Sequence, residues 1–501
     1  MSSSTSLPVP TATTMLLSRE ASSIDGSSTM KGGVRIGGRI IEVDDGSEGG
    51  SVVIRDKTEP AERRINFYDI LYAEVTAEGV FTIDYVTTTK TKATPQRIEL
   101  RTDQDDRKAA EETAKRILER AYGDSPLHKR LLILINPFGG TGAATKIFNT
   151  SCLPLLQASR SNITVQSTTH SGHATEIAKD LDISAYDGIL CCSGDGLPHE
   201  VYNGLAARPD AKKALQTIAV AQLPGGSGNA MCHNLTGTGS PSLATLSIIK
   251  STKQPIDLVS ITQGTRRIIS FLSQSLGIVA EADLATEHLR WMGDTRFVWG
   301  VMQRLWRRQT WPCELAVKVS VEGGVEEVRE HYRKVHAASQ DVRAEELAAR
   351  LRSEDDLGEG EGLPALKYGT VNDPLPSDWE LVPHPNMGNF YAGNMAWVSA
   401  DALMFPASLP HEGCFDLVTM DGTLPRMEAL KIMGASENGK HWDMDHVLYR
   451  KVLAYRIVPT EREGYVSVDG ERIPFERWQA EVHHGLGRVW ARGAVYQNAG
   501  V

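Results

Sequence analysis

The sequence predicts an α/β plus β protein: a doubly wound α/β nucleotide-binding domain followed by a mainly antiparallel β domain, with a β-rich extension at its N-terminal side. Beyond Lys129, apolar runs alternate with amphipathic stretches; beyond Pro255, strand signals dominate; ahead of Lys129, short alternating runs close on one stretch of helical spacing. Strand–helix alternation builds a parallel sheet, whereas strands in series build antiparallel ones.

The chain has 501 residues, too many for one ordinary core, so two or three domains are expected. Its 41% hydrophobic and 23% charged residues suit a soluble globular protein, and a net charge of -10 excludes general attraction to nucleic-acid phosphates. Cys152, Cys191, Cys192, Cys232, Cys313 and Cys414 form no CxxC pair, which suits a reducing, cytoplasmic compartment. The start lacks a basic n-region and a continuous apolar h-region, and no later run approaches the roughly 20 apolar residues of a membrane span. The expectation is a protein neither secreted nor integral to a membrane.

Residues 1–30 are Ser/Thr-rich and expected to be disordered, because they offer too little apolar surface to offset ordering entropy. Over 31–126, the stretches 38–43, 50–54, 79–85 and 97–101 read as strands, and 105–122, with Ala110, Ala114, Ile117, Leu118 and Ala121 at helical spacing, as a closing helix. Such a region is either pleckstrin-homology-like or a β-rich extension packed on the main body, and the pattern allows both. Over 127–254, strands are expected at 131–136, 163–169, 188–193 and 217–223, each followed by a helix, at 144–157, 174–181, 199–207 and 229–235. Over 255–501, strands are expected at 256–262, 267–272, 314–321, 389–399, 415–420, 454–458 and 465–468. A charged, Pro-containing segment at about 337–380 reads as a flexible insertion with a short solvated helix at 341–352.

In a doubly wound sheet, ligands bind outside the carboxyl ends of the strands, so the four strand-to-helix turns share one edge. The first, Asn136-Pro-Phe-Gly-Gly-Thr-Gly142, has neither a Walker A ending nor GxGxxG spacing and is by itself as good a Gly-rich turn as a phosphate loop. The second, Thr168-Thr-His-Ser-Gly-His173, fits ordinary capping by Ser171 almost as well as ligand binding. The third is Ser193-Gly-Asp-Gly-Leu-Pro-His-Glu200 and the fourth Leu223-Pro-Gly-Gly-Ser-Gly-Asn-Ala230. Three glycine-rich turns at one edge point to a polyphosphate site, where backbone N–H groups and helix N-termini meet anionic oxygens. Asp195 is the one carboxylate within a glycine-rich turn, placed to take the proton of an acceptor hydroxyl during phosphoryl transfer. Glu200 reads as a brace or helix-dipole complement. These turns hold no cation, and Arg290 and Arg296 in the run from Asp283 to Phe297 supply the planar donor forks that suit phosphate.

At these residues the sequence resembles the lipid kinases of the diacylglycerol kinase catalytic fold, and among them the sphingosine (long-chain base) kinases. NPFGGTG, SGDGLPHEVYNGL, LPGGSGNA, GIVAEADLATEHLRWMGDTRF and the late Val468-Asp-Gly-Glu471 stand in the family's order, from about Leu131 to Gly487. SGDG and GSGNA are shared with diacylglycerol and ceramide kinases, whereas the longer SGDGLxHExxNGL form and the ADL-to-RF run are specific to sphingosine kinases. The resemblance implies an α/β nucleotide domain, a β-sandwich lipid-binding domain and an active site in the cleft between them. It implies Asp195 as general base and nucleotide contacts from Asn136, Phe138, Gly139, Gly140, Thr168, Ser193, Gly194, Gly196, Gly226, Ser227, Gly228, Glu287, Arg290, Arg296, Asp469, Gly470 and Glu471. Asp283 and Ser273, with Gly196 and Leu197, correspond to groups around the long-chain base, where a carboxylate suits the lipid's ammonium. ATP and Mg2+ are implied; the metal ligands are not, and Asp469 is either a candidate or a structural turn residue. Thr141 stands where relatives carry lysine, Glu281 where they carry the first aspartate of an ADVD-like run, and Pro198 in a variable position near the helix start.

The expected activity is transfer of the ATP γ-phosphate to the primary hydroxyl of a sphingoid base. The alternatives are a diacylglycerol or ceramide kinase, whose substrate leaves Asp283 without a cationic partner, and a non-catalytic lipid- or nucleotide-binding adaptor. Expected partners are the lipid itself, a membrane touched peripherally and, in a homodimer, a second copy of the chain; nucleic acid is not one.

Overall fold

The computed structural model describes residues 33–36, 38–46, 49–56, 62–140, 142–226, 228–286, 295–340 and 362–501. The disordered tail expected at 1–30 and the helix expected at 341–352 lie outside these residues. The chain divides into two compact units, Met1–Val86 with Gln96–Gly123 and Thr87–Pro95 with Asp124–Val501.

The first unit holds a four-stranded antiparallel sheet of β1 (Val34–Ile36), β2 (Arg39–Asp44), β3 (Ser51–Asp56) and β4 (Glu62–Asn66), and a three-stranded one of β5 (Ile70–Val75), β6 (Val80–Thr88) and β7 (Ala93–Arg101). Helix α1 (Arg107–Tyr122) closes it, burying Ala110, Thr113, Ala114, Ile117 and Ala121 along one face. The Tyr122 hydroxyl donates to the Leu71 carbonyl at 2.6 Å, and Gly123, at φ 53, ends the helix.

The second unit begins with strand–helix repetition: β8 (Arg130–Ile135), α2 (Ala144–Ile147) continuing through a π turn into α3 (Leu153–Ala158), β9 (Asn162–Ser167), α4 (His173–Lys179), β10 (Gly188–Ser193), α5 (Gly196–Ala206), α6 (Ala211–Thr217), β11 (Ala219–Pro224), α7 (Ala230–Thr236) and α8 (Pro241–Ile249). Pro154 explains the π turn, since it removes an N–H from the i→i−4 ladder. Helix α5 starts three residues earlier than its apolar spacing suggests, which puts Pro198 in the third helical position. It costs no bond there, because the first intrahelical bond is donated by His199 to the Asp195 carbonyl. Strands β10 and β11 are buried throughout, and β8 in all but its first residue, as expected of a sheet covered on both faces.

The remainder is mainly antiparallel: β12 (Thr252–Gln263), β13 (Arg266–Ser270), β14 (Ser273–Gly277), α9 (Ile278–Leu284), α10 (Thr295–Arg307), β15 (Cys313–Val319), α11 (Val325–Gln340), β16 (Glu380–His384), β17 (Met387–Gly393), β18 (Trp397–Ser399), β19 (Ala402–Leu403), β20 (Phe415–Asp421), α12 (Arg426–Ser436), β21 (Val447–Pro459), β22 (Val466–Val468), β23 (Glu471–Ile473) and β24 (Trp478–Ala491). Strands β12, β14, β17, β20, β21, β22 and β24 all turn residues into one core around Phe390, Phe415, Tyr455 and Trp478. Sequence patterning missed α11, α12 and β24.

The regions expected on either side of Pro255 share one hydrogen-bonded sheet, because the 14-residue β24 serves both. It pairs antiparallel with β12 along its length and, in its first part, with β21, while Arg488 and Val489 pair parallel with Ala219 and Val220 of β11. The chain's last strand thereby completes the order β9-β8-β10-β11-β24, a doubly wound sheet whose direction of winding reverses between β8 and β10. Part of the segment expected as a flexible insertion is fastened to this framework: Lys367 N and Tyr368 N donate to the Glu481 carboxylate, and Val371 N to Thr262 Oγ1.

Trp490 on β24 is fully buried, with the Lys129 ammonium 5.1 Å and the Lys253 ammonium 5.7 Å from its ring. Burial pulls the Lys129 amine down to about 7, and its Nζ donates to Ser125 Oγ, Pro126 O and Ile249 O. Trp490→Ala is expected to cost about 3–5 kcal/mol. Because β24 belongs to both parts, helix-sensitive and strand-sensitive probes of urea unfolding should shift together; separate transitions would show that the parts are independent.

Candidate active site

The crevice beyond the carboxyl ends of β8 and β10 is where the winding reverses, and three glycine-rich loops meet there. Gly225 N donates to Ser193 O at 3.2 Å, and Gly140 packs on Gly225 and Gly226. A Cβ on Gly226 would lie 2.4 Å from Gly194 Cα, so only glycine lets these two loops touch. Asn229, in the left-handed region at φ 49, holds the last loop: its Oδ1 accepts from Gly225 N and Gly226 N, and its Nδ2 donates to Gly226 O. In the first loop Asn136 Oδ1 accepts from Phe138 N at 3.0 Å.

Asp195, at the N-cap of α5, points across the crevice to α7. Its Oδ2 accepts from Ala230 N at 3.0 Å and its Oδ1 from Met231 N at 3.1 Å. Burial raises its pKa, the Asp469 charge adds to the rise, and the two N–H donors and Gln222 oppose it without cancelling it. A Cβ on Gly228 would sit 3.0 Å from Asp195 Oδ2, so glycine leaves space beside the carboxylate. The result is a fixed carboxylate, more basic than an ordinary aspartate, with space beside one oxygen.

Asp469 has a different character. It is buried, lies at φ 53, and accepts five hydrogen bonds, from Ser270 Oγ, Phe271 N, Leu272 N, Ser273 N and His199 Nδ1. A carboxylate so saturated does not fit a metal ion, and the structural alternative for Asp469 accounts for every contact. His199 stands one turn along α5 from Asp195. Burial pulls its imidazole down, but Asp469, Glu471 and Glu200 more than offset this, so its pKa is raised. Asn203, a turn further, pairs with Ile269 through both its amide groups and so fastens α5 to β13. Glu200 braces the second turn by accepting from Ala174 N at the start of α4.

Ser273, the first residue of β14, is buried and hydrogen-bonds the Tyr391 hydroxyl. Tyr391 on β17 feels the charges of Asp283, Asp195 and Asp469, and its pKa is raised chiefly by burial. Tyr391 therefore lies within electrostatic range of the α9 and α5 carboxylates. Glu471 lies beside Gly196, where a Cβ would come within 2.9 Å of Glu471 Oε1, and the preceding Gly470 has φ +85.

Two expected side chains turn away from this site: the Thr168 N–H and hydroxyl both turn to the Ile135 carbonyl, and Leu197 packs in the apolar core with Val201 and Leu205, while Phe138 in the first loop is 76% exposed. Thr141, Ser227, Glu287 and Arg290 lie outside the described residues, and Arg296 falls in the first turn of α10. Glu281 is buried against Arg304, at 3.2 Å, and Trp311, which ties α9 to α10. Sequence reasoning missed Gln222, Asn229, Tyr391 and the roles of His199 and Asn203. Only the i, i+4 spacing of His199 and Asn203 within the quoted motif hinted that one helix face meets a second layer.

Residues 130–261 match the diacylglycerol kinase catalytic domain, and 9–123 match a domain of unknown function. The chain is 36% identical over 443 residues to sphingoid long chain base kinase 5 of Saccharomyces cerevisiae, covering 78% of this chain and 63% of that protein. It is 31% identical over 437 residues to sphingoid long chain base kinase 4 of Schizosaccharomyces pombe (86% and 89%), and 30% identical over 356 residues to sphingosine kinase 2 of Arabidopsis thaliana (68% and 69%). The catalytic domain sets the class, that of lipid kinases. Within it, this chain belongs to the sphingoid long-chain base (sphingosine) kinase family.

Removing the Asp469 carboxylate leaves four buried donors and an imidazole without an acceptor, so Asp469→Ala is expected to cost about 3–5 kcal/mol in urea unfolding. The stability that raised His199 contributes is present in full below its ordinary value of 6.5 and fades as pH rises through its folded value. Asp469→Asn should flatten that part of the stability–pH curve, and an unchanged curve would remove the pair from this role.

Proposed function

We propose that the chain transfers the γ-phosphoryl group of ATP to the primary hydroxyl of a sphingoid long-chain base, with Asp195 accepting the hydroxyl proton. The observation that carries this reading is the Asp195 carboxylate, held by Ala230 N and Met231 N beside Gly228 where three glycine-rich loops converge. As the lipid oxygen bonds to the γ-phosphorus, the bond from that phosphorus to the β–γ bridging oxygen breaks and ADP leaves, the hydroxyl proton passes to the carboxylate, and the loop N–H groups and helix N-termini stabilise charge on the phosphates. Mg2+, when bound with the nucleotide, neutralises phosphate charge; Asp469 is not its ligand. Asp283 and the Ser273–Tyr391 pair are assigned to the head of the base, where an ammonium group meets the carboxylate.

The antiparallel core around Phe390 and Trp478 is assigned to the lipid-binding domain and the seven-stranded first unit to a pleckstrin-homology-like module. Peripheral membrane contact is assigned to α10, which exposes Trp299, Met302 and Trp306 on one face beside Arg307 and buries Gly300, Val301 and Arg304 on the other. Among the described residues no helix is long and apolar enough to cross a membrane.

With Mg-ATP, the purified chain is expected to phosphorylate sphingosine and phytosphingosine but neither ceramide nor diacylglycerol. Transfer to diacylglycerol alone would reject the substrate assignment. Asp195→Asn should lower kcat by about 10²–10⁴-fold with unchanged circular dichroism; a fully active variant would reject the base. Because the base works ionised and its pKa is raised above the usual 3.8, the acid limb of kcat/KM is expected above the range of an ordinary aspartate.

A further inference from the structure

Away from this crevice, the turn before β20 carries a second set of buried ionisable groups. Lys451 Nζ donates to Glu412 Oε1 at 2.5 Å, to Asp416 Oδ2 at 3.0 Å and to the Ala407 carbonyl, and the three charged side chains are fully buried. Two carboxylates face one ammonium, and the second negative charge is met only by a further cation, either an imidazolium of His331, whose Nε2 lies 3.2 Å from Glu412 Oε2, or a metal ion in its place. Glu412 Oε2 and Asp416 Oδ1 make no aligned hydrogen bond, with His331 beside Glu412 and the Tyr449 hydroxyl beside Asp416. Leaving a buried charge unmatched costs several kcal/mol, so a cation is called for at this place.

The ligands for one are present. His331 Nε2 on α11 stands 3.2 Å from Glu412 Oε2, so the two can either pair through a proton or share a metal ion. Cys414 Sγ completes the set, with all three ligand atoms within 4.8 Å of one another. Imidazole nitrogen, carboxylate oxygen and thiolate sulfur together suit a borderline-soft cation.

We propose that His331 Nε2, Glu412 Oε2 and Cys414 Sγ form a structural site for a divalent cation of the Zn2+ type, which clamps α11 to the turn leading into β20. Charge balances: Glu412, Asp416 and a Cys414 thiolate are offset by Lys451 and the metal, while the thiol proton leaves to solvent. Burial pushes the free Cys414 thiol well up, so without a cation it stays protonated. The side chain of His331 is 25% accessible, which gives the ion a route in, and Lys451 already occupies the other Glu412 oxygen, which leaves Oε2 for the metal. The competing arrangement is a proton in the metal's place, with an imidazolium paired to Glu412.

Full-length protein dialysed against chelator and then titrated with Co2+ separates the two. One equivalent should bind with a thiolate-to-Co(II) charge-transfer band, and Zn2+ should displace it and raise Tm. Cys414→Ser should abolish the band, and His331→Asn should weaken Co2+ at least about tenfold, each with kinase activity retained as a control for folding. Absence of the band in wild-type protein, or its persistence in Cys414→Ser, overturns the proposal. Should Cys414→Ser fail to fold, the wild-type spectrum and His331→Asn still decide.

Discussion

The arrangement depends first on one buried carboxylate. Asp469 gathers the Ser270–Ser273 turn between β13 and β14 by accepting from three consecutive backbone N–H groups and a hydroxyl, and its Oδ2, which takes the Phe271 N–H, also reaches His199 on α5. That helix begins at Asp195, so the charge that organises the β layer also positions the helix that carries the base. An unmatched carboxylate at this depth would be costly, and the five donors are what make it tolerable.

Around this hub each part of the crevice is held from two directions. Asp195 is anchored by its own helix and by the first amides of α7; the loops touch through glycines; Asn229 closes the last loop; and Asn203 fixes α5 to the β13 edge. Reactive geometry of this kind needs positions fixed to a fraction of an ångström, and duplicated anchors supply that. The same burial that rigidifies the site raises the Asp195 pKa, so structural and chemical demands are met together.

The positions of β8, β10 and β11 were legible because each strand buried on both faces is a continuous apolar run, as in Leu131–Ile135 and Gly188–Cys192, whereas the helices α6 and α8 were not expected. Other features were not. β24 lacks clean alternation, since it is buried on both faces along most of its length, and its polar Gln479, Glu481 and His483 are matched by tertiary hydrogen bonds while Arg488 donates to the nearby Gly485 and Gly487 carbonyls. The two remote residues of β24 that extend the parallel sheet leave no local signal. Leu197 shows the reverse case: the resemblance placed it beside the substrate, but the helical turn directs its side chain into the core.

Local sequence determined the glycine-rich turns, the carboxylate among them and the alternation that makes a doubly wound sheet, because these follow from backbone freedom and hydrophobic period over a few residues. Only the tertiary structure decided that Asp469 is a saturated hub, that Tyr391 meets Ser273, and that the last strand joins both parts of one sheet. Those outcomes turn on which donors and charges meet after long-range packing, and such meetings leave no trace in neighbouring residues.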